Sequence, residues 1–125
     1  MIDGAGSSVT AERLEIGRLV ATFSSNSDDQ SGTLTLSNGG VLTATDRVNV
    51  GKGGEINFDG GTLNSDTTAG EIALHLREAV VNITEGTTNQ LNSNIIVRDG
   101  TIFNFKAGNA GVGRLDMDGG SQNFN

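Results

Sequence analysis

Proline, cysteine, tryptophan and tyrosine are all missing from the 125 residues. Without cysteine there is no disulfide framework and no thiolate metal site. That absence fits a cytosolic chain and equally a bacterial protein kept unfolded during export, so it does not choose a compartment. The only aromatics are Phe23, Phe58, Phe103, Phe105 and Phe124. Hydrophobic residues make up 34% of the chain, too few for a thick layered core. They suffice for a narrow core into which each strand sends a few side chains. Lysine and arginine are sparse and scattered, and the net charge is −7. This argues against a nucleic-acid partner and against anionic membrane surfaces. No apolar run approaches the roughly 18 residues that a membrane span needs. Met1-Ile2-Asp3-Gly4 has neither the basic nor the apolar region of a signal peptide, so any signal is expected upstream of this segment. The length allows one domain.

What is present is alternation. Leu14-Glu15-Ile16, Leu34-Thr35-Leu36, Val48-Asn49-Val50, Ile56-Asn57-Phe58, Ile72-Ala73-Leu74-His75-Leu76, Val81-Asn82-Ile83 and Leu115-Asp116-Met117 each alternate apolar and polar or small residues. That is the period of a strand with one buried face. Gly, Asn or Asp bound the segments, as tight turns require. Two stretches, 10–16 and 71–79, also contain good helix formers. Their large apolar residues alternate, which favours strand; a short helix over the first turn would serve as an end cap.

The segments repeat. Asn38-Gly39-Gly40-Val41-Leu42 recurs as Asp59-Gly60-Gly61-Thr62-Leu63, 21 residues later. Asp118-Gly119-Gly120-Ser121 reads as a third copy. Arg13-Leu14-Glu15-Ile16-Gly17 resembles Arg47-Val48-Asn49-Val50-Gly51 at an offset of 34. A unit of roughly 20 residues cannot bury its apolar face alone and must stack on its neighbours. The expectation is an all-β fold: a right-handed parallel β-solenoid of about six rungs, stacked at about 4.8 Å. Residues 1–12 are expected to form a cap or linker and 13–125 the solenoid, with 24–32 and 84–94 looped out. Leu34, Leu36, Val48, Val50, Ile56, Phe58, Leu74, Leu76, Val81, Ile83, Leu115 and Met117 should face inward. Thr35, Asn49, Asn57, His75, Asn82 and Asp116 should face solvent. Gly39, Gly40, Gly60, Gly61, Gly119 and Gly120 should form the structural turns.

Residues 32–66, from Gly32-Thr33-Leu34-Thr35-Leu36 through Asn38-Gly39-Gly40-Val41-Leu42 and Arg47-Val48-Asn49-Val50-Gly51 to Gly54-Glu55-Ile56-Asn57-Phe58-Asp59-Gly60-Gly61-Thr62-Leu63, resemble the autotransporter-associated β-strand repeat. The likeness recurs at 111–120. It implies a segment of a large bacterial secreted or surface protein, with an extracellular or cell-surface location and no catalytic residues to carry over.

Candidate chemistry points the same way. Asp59 and Asp118 invite a glycosidase reading, but three rungs would set them roughly 14 Å apart, beyond the ~5–9.5 Å that two-carboxylate hydrolysis uses. The single histidine, His75, is expected to face outward, and one histidine holds no metal alone. Asp28-Asp29 is read as a solvated loop rather than a calcium site. Gly51-Lys52-Gly53-Gly54 lacks the phosphate-loop pattern. Thr33, Thr35, Thr43 and Thr45 begin a threonine ladder that Asn57 and Asp59 break, which argues against ice binding. Asn82-Ile83-Thr84 fits a glycosylation pattern that would not matter in a bacterial protein.

The expected role is therefore a non-catalytic stalk or spacer that requires no cofactor. Its expected partners are neighbouring rungs of a longer chain or a second copy stacked end to end, with a carbohydrate or host-surface ligand also open. The alternatives are a self-assembling filament subunit and a tailspike-like or carbohydrate-binding β-helix fragment.

Overall fold

Short alternating segments with turn residues between them leave the backbone one economical solution: extended pieces that hydrogen-bond to the next copy of themselves. A computed structural model describes residues 1–17, 31–65, 74–118 and 122–124. Among these the regular elements are all strands. They are β1 (Ile2–Asp3), β2 (Ser8–Ile16), β3 (Gly32–Ser37), β4 (Val41–Val50), β5 (Gly54–Asp59), β6 (Thr62–Ser65), β7 (Leu74–Leu76) and β8 (Val80–Ile83). There follow β9 (Thr88–Asn92), β10 (Ile95–Val97), β11 (Ile102–Phe105), β12 (Ala107–Gly108), β13 (Gly111–Val112), β14 (Arg114–Asp118) and β15 (Gln122–Phe124).

The first face is a parallel sheet in the order β1-β3-β5-β8-β11. A larger parallel sheet, β14-β9-β6-β4-β7-β10-β15 with β2 against β4, supplies the other two faces. It turns a corner within its longest strands. Residues 41–44 of β4 pair with β6, whereas residues 48–50 pair with β7. The chain thus winds through three faces per circuit, which is a parallel β-solenoid. Among the described residues five strands stack on the first face and the solenoid makes about three turns, so the expected count of six rungs is not confirmed. The circuits through β3–β4, β5–β7 and β8–β10 are each covered by another circuit on both sides.

The core is the inward column of each face. Leu34 stacks on Ile56, Val81 and Phe103, and Leu36 on Phe58 and Ile83. Leu42 and Leu63 meet Leu91 on the second face, and Val48, Leu74 and Ile95 line up on the third. All are buried except Phe103, which packs against the cluster half-exposed. Leu115 behaves like Phe103. The side chain of Met117 lies outside the described set, although its backbone pairs with Leu91. Thr35, Asn49, Asn57, His75, Asn82 and Asp116 sit at half-exposed outward positions.

Three boundaries differ from expectation. Residues 84–94 are not looped out, because β9 crosses the second face there with Asn89 and Leu91 buried. The polar composition hid a strand whose inward residues are only Asn89, Leu91 and the buried Ser93. Residues 1–12 are not a linker, since β1 and the first half of β2 pair with β3 and β4. Of the proposed insertion 24–32, Gly32 opens β3 and Ser31 directly precedes it, while the remainder lies outside the described residues. No helical cap is present among the described residues; 10–16 belongs to β2 and 74–76 to β7.

Candidate functional site

The outer surface is built by the same register as the core. On the first face, Asn104 Nδ2 donates to Asn82 Oδ1 and Asn82 Nδ2 to Asn57 Oδ1, both at 2.9 Å. Asn57 Nδ2 then reaches Thr35 Oγ1 at 3.5 Å. On the second face, Asn92 Nδ2 donates to Asn64 Oδ1 at 2.7 Å, and Asn64 Nδ2 to Thr43 Oγ1 at 3.5 Å. Every one of these bonds runs from a later circuit to the earlier one. Strands stacked in register place identical amides one strand spacing apart, which is the distance an amide–amide bond needs.

The corner between the first and second faces carries the Gly-Gly motif. Asn38 (φ 50°), Gly39 (φ 87°) and Gly60 (φ 89°) take the left-handed conformation there. The two turns bond directly, Asn38 N–H to Asp59 O at 3.0 Å and Gly39 N–H to Gly60 O at 2.7 Å. A Cβ on Gly61 would sit 2.5 Å from Leu36 Cβ, so only glycine lets the circuits close up at that point. The following circuit has no Gly-Gly. The buried Asn89 takes over, its Oδ1 accepting from Gly60 N–H at 2.6 Å and Gly61 N–H at 3.1 Å. Its Nδ2 donates to Thr87 Oγ1 and to Arg114 O. A side chain thereby continues the turn stack that two glycine backbones began.

Of Asp118-Gly119-Gly120, read from sequence as a third copy, only Asp118 falls among the described residues. Asp118 pairs with Asn92 at the end of the second face, a different corner from Asp59. Matching the tripeptide alone hid this difference, and the distance argued from a shared corner does not apply. Gly119, Gly120 and Asp28-Asp29 lie outside the described residues. Asp59 and His75 sit on different faces, Asp59 closing β5 and His75 in the middle of β7. Among the described residues, the candidate side chains Asp59 and His75 are therefore apart rather than gathered. Among the described residues no group of three or more His, Asp or Glu side chains is placed to hold a metal ion.

Register does gather residues that looked scattered. Arg13 pairs with Arg47 on the third face, and Asp46 Oδ2 accepts from both, at 3.1 Å and 3.3 Å. At the edge of the same face, Arg77 N–H bonds Val50 O and Arg98 N–H bonds Leu76 O, so the two arginines occupy matching positions on neighbouring circuits. Arg98 Nε donates to His75 Nε2 at 3.0 Å. Burial, then the charges of Arg98 and Arg77, lower the His75 pKa below the usual 6.5. Asp3, fully exposed, is lowered by hydrogen bonds from Ser37 and Asn38.

The sequence held two signals for what was missed. Leu63-Asn64-Ser65 returns unchanged as Leu91-Asn92-Ser93, which marks β9. The Ser65 and Ser93 hydroxyls are in fact hydrogen-bonded to each other in the interior. The Arg77–Arg98 pair follows from aligning Val50-Gly51, Leu76-Arg77 and Val97-Arg98. Compared with known proteins, the chain matches no family model, no curated protein and no solved structure.

Proposed function

We propose that the chain is a non-catalytic, rigid segment of a secreted or cell-surface bacterial repeat protein, a stalk or spacer wound as a right-handed solenoid. The observation that carries this reading is that core columns and outward amide ladders run along one axis without a break from β3 to β11. Such stacking resists bending, because tilting one circuit would open backbone and side-chain bonds together. The sequence resemblance to autotransporter repeats supports the extracellular placement.

The test is mechanical and chemical. Pulled between its termini, the chain should unfold in successive steps of about one circuit each, as stacked repeats do. Incubated with a panel of polysaccharides, it should release no new ends. Turnover that Asp59→Ala or Asp118→Ala abolishes would refute the reading.

One observation favours a second role, end-to-end assembly. β11 forms the outer edge of the first face among the described residues, and it leaves Ile102 and Phe105 about half exposed. An uncovered parallel edge beside apolar side chains is a template for another strand.

A further inference from the structure

The two arginine stacks of the third face are built alike and treated differently. In the first, Asp46 lies against both Arg13 and Arg47. In the second, no carboxylate among the described residues is within ion-pairing distance of Arg77 or Arg98. Glu78 and Asp99 follow the two arginines in the chain, yet neither pairs with them, and Lys52 occupies the same corner of the preceding circuit. The chain thus places like charges side by side, about 4.8 Å apart at the backbone, although acidic residues outnumber basic ones in its composition.

The details favour a receptor for negative charge. Arg98 commits its Nε to His75, which leaves its Nη donors for another partner. Arg77 and Arg98 are both exposed. Directly after Arg77, Glu78 is held at φ 52°, a strained conformation for a residue with a Cβ, and such strain collects at binding corners.

We propose that Arg77 and Arg98 together form a binding site for an oxyanion, a sulfate, phosphate or carboxylate group gripped between guanidiniums of neighbouring circuits. Planar guanidinium forks match the paired oxygens of these groups, and two forks in register accept one group between them. The inference is independent of whether the segment serves as a stalk.

The experiment titrates the 125-residue chain with inorganic sulfate and follows the arginine Nε–Hε resonances. Saturable shifts are expected at Arg77 and Arg98 and not at Arg13. Arg77→Gln and Arg98→Gln should each raise Kd at least about fivefold, whereas Arg13→Gln should leave it within about twofold. Circular dichroism of each variant verifies the fold. Repeating the titration with phosphate, acetate and a sulfated polysaccharide separates the sources. A polymer that binds more tightly per sulfate than the free ion identifies polymer-borne groups, and equal affinity identifies free anions; both outcomes uphold the site. Shifts that grow linearly without saturating, or that all arginines share equally, would overturn it.

Discussion

Glu78 is the residue least suited to its own backbone. At φ 52° its Cβ crowds the following carbonyl, a cost of about 1–2 kcal/mol that glycine would not incur. Glycine also loses more chain entropy on folding, about 0.5–1 kcal/mol. Glu78→Gly is therefore expected to raise stability by up to about 1 kcal/mol, read from the urea midpoint at constant slope. A drop would mean that the contact of its stem with Gly100 outweighs the strain. His75 makes the opposite kind of statement, about protons. Its folded pKa is lowered by burial and by Arg98 and Arg77, so below pH 6.5 the unfolded chain binds a proton that the folded chain resists. Stability is then fully present above 6.5 and declines as the pH falls toward the folded value. Thermal melts between pH 7.5 and 5.5 should show this decline, and His75→Gln should remove that component.

At the scale of the element, the corner between the first two faces is set by absent side chains. Gly61 lies against Leu36 so closely that Ala would force β3 and β6 apart. Gly61→Ala is expected to cost about 1–3 kcal/mol by the same denaturant measurement, the range for overpacked sites. The corner also shows how far the sequence could be read. The alternation in Leu34-Thr35-Leu36 and Ile56-Asn57-Phe58 announced strands and their inward sides, because apolar residues need burial whichever strand they meet. The Gly-Gly repeat at an offset of 21 announced direct neighbours, and Val41 does pair with Thr62. β9 stayed hidden because two of its inward positions, Asn89 and the adjoining Ser93, are polar and satisfied inside the molecule by partners remote in sequence. The distance argued between Asp59 and Asp118 failed for the reverse reason: matching residue types does not tell which face a strand end closes, and Asp118 pairs with Asn92 on the second face. The likeness of residues 13–17 to 47–51 already set Arg13 opposite Arg47, but the Arg77–Arg98 pair, at an offset of 21 rather than 34, shares no common period with it and stood out only once register was known.

For the whole molecule, stability is a sum of circuits and the contacts between them. The circuits covered on both sides should exchange their amide protons most slowly, and those of β1 and β11 fastest, which hydrogen exchange resolved along the chain would reveal. The exposed edge of β11 predicts association. A head-to-tail contact does not close on itself, and salt screens the opposing net charge of −7. Sedimentation should therefore show heavier species as protein and salt concentrations rise, and a clean monomer throughout would exclude this contact. The corner at residues 106–113 has a different consequence. There β12 and β13 form a small antiparallel hairpin, and on either side Phe105 still pairs with Ile83 and Arg114 with Thr88. The equivalent corner after Ser37 needs only Asn38, Gly39 and Gly40. Circuit length and circuit geometry are thus uncoupled at this point, and a foreign peptide spliced between Asn109 and Ala110 would be carried outward as cargo on an undisturbed scaffold.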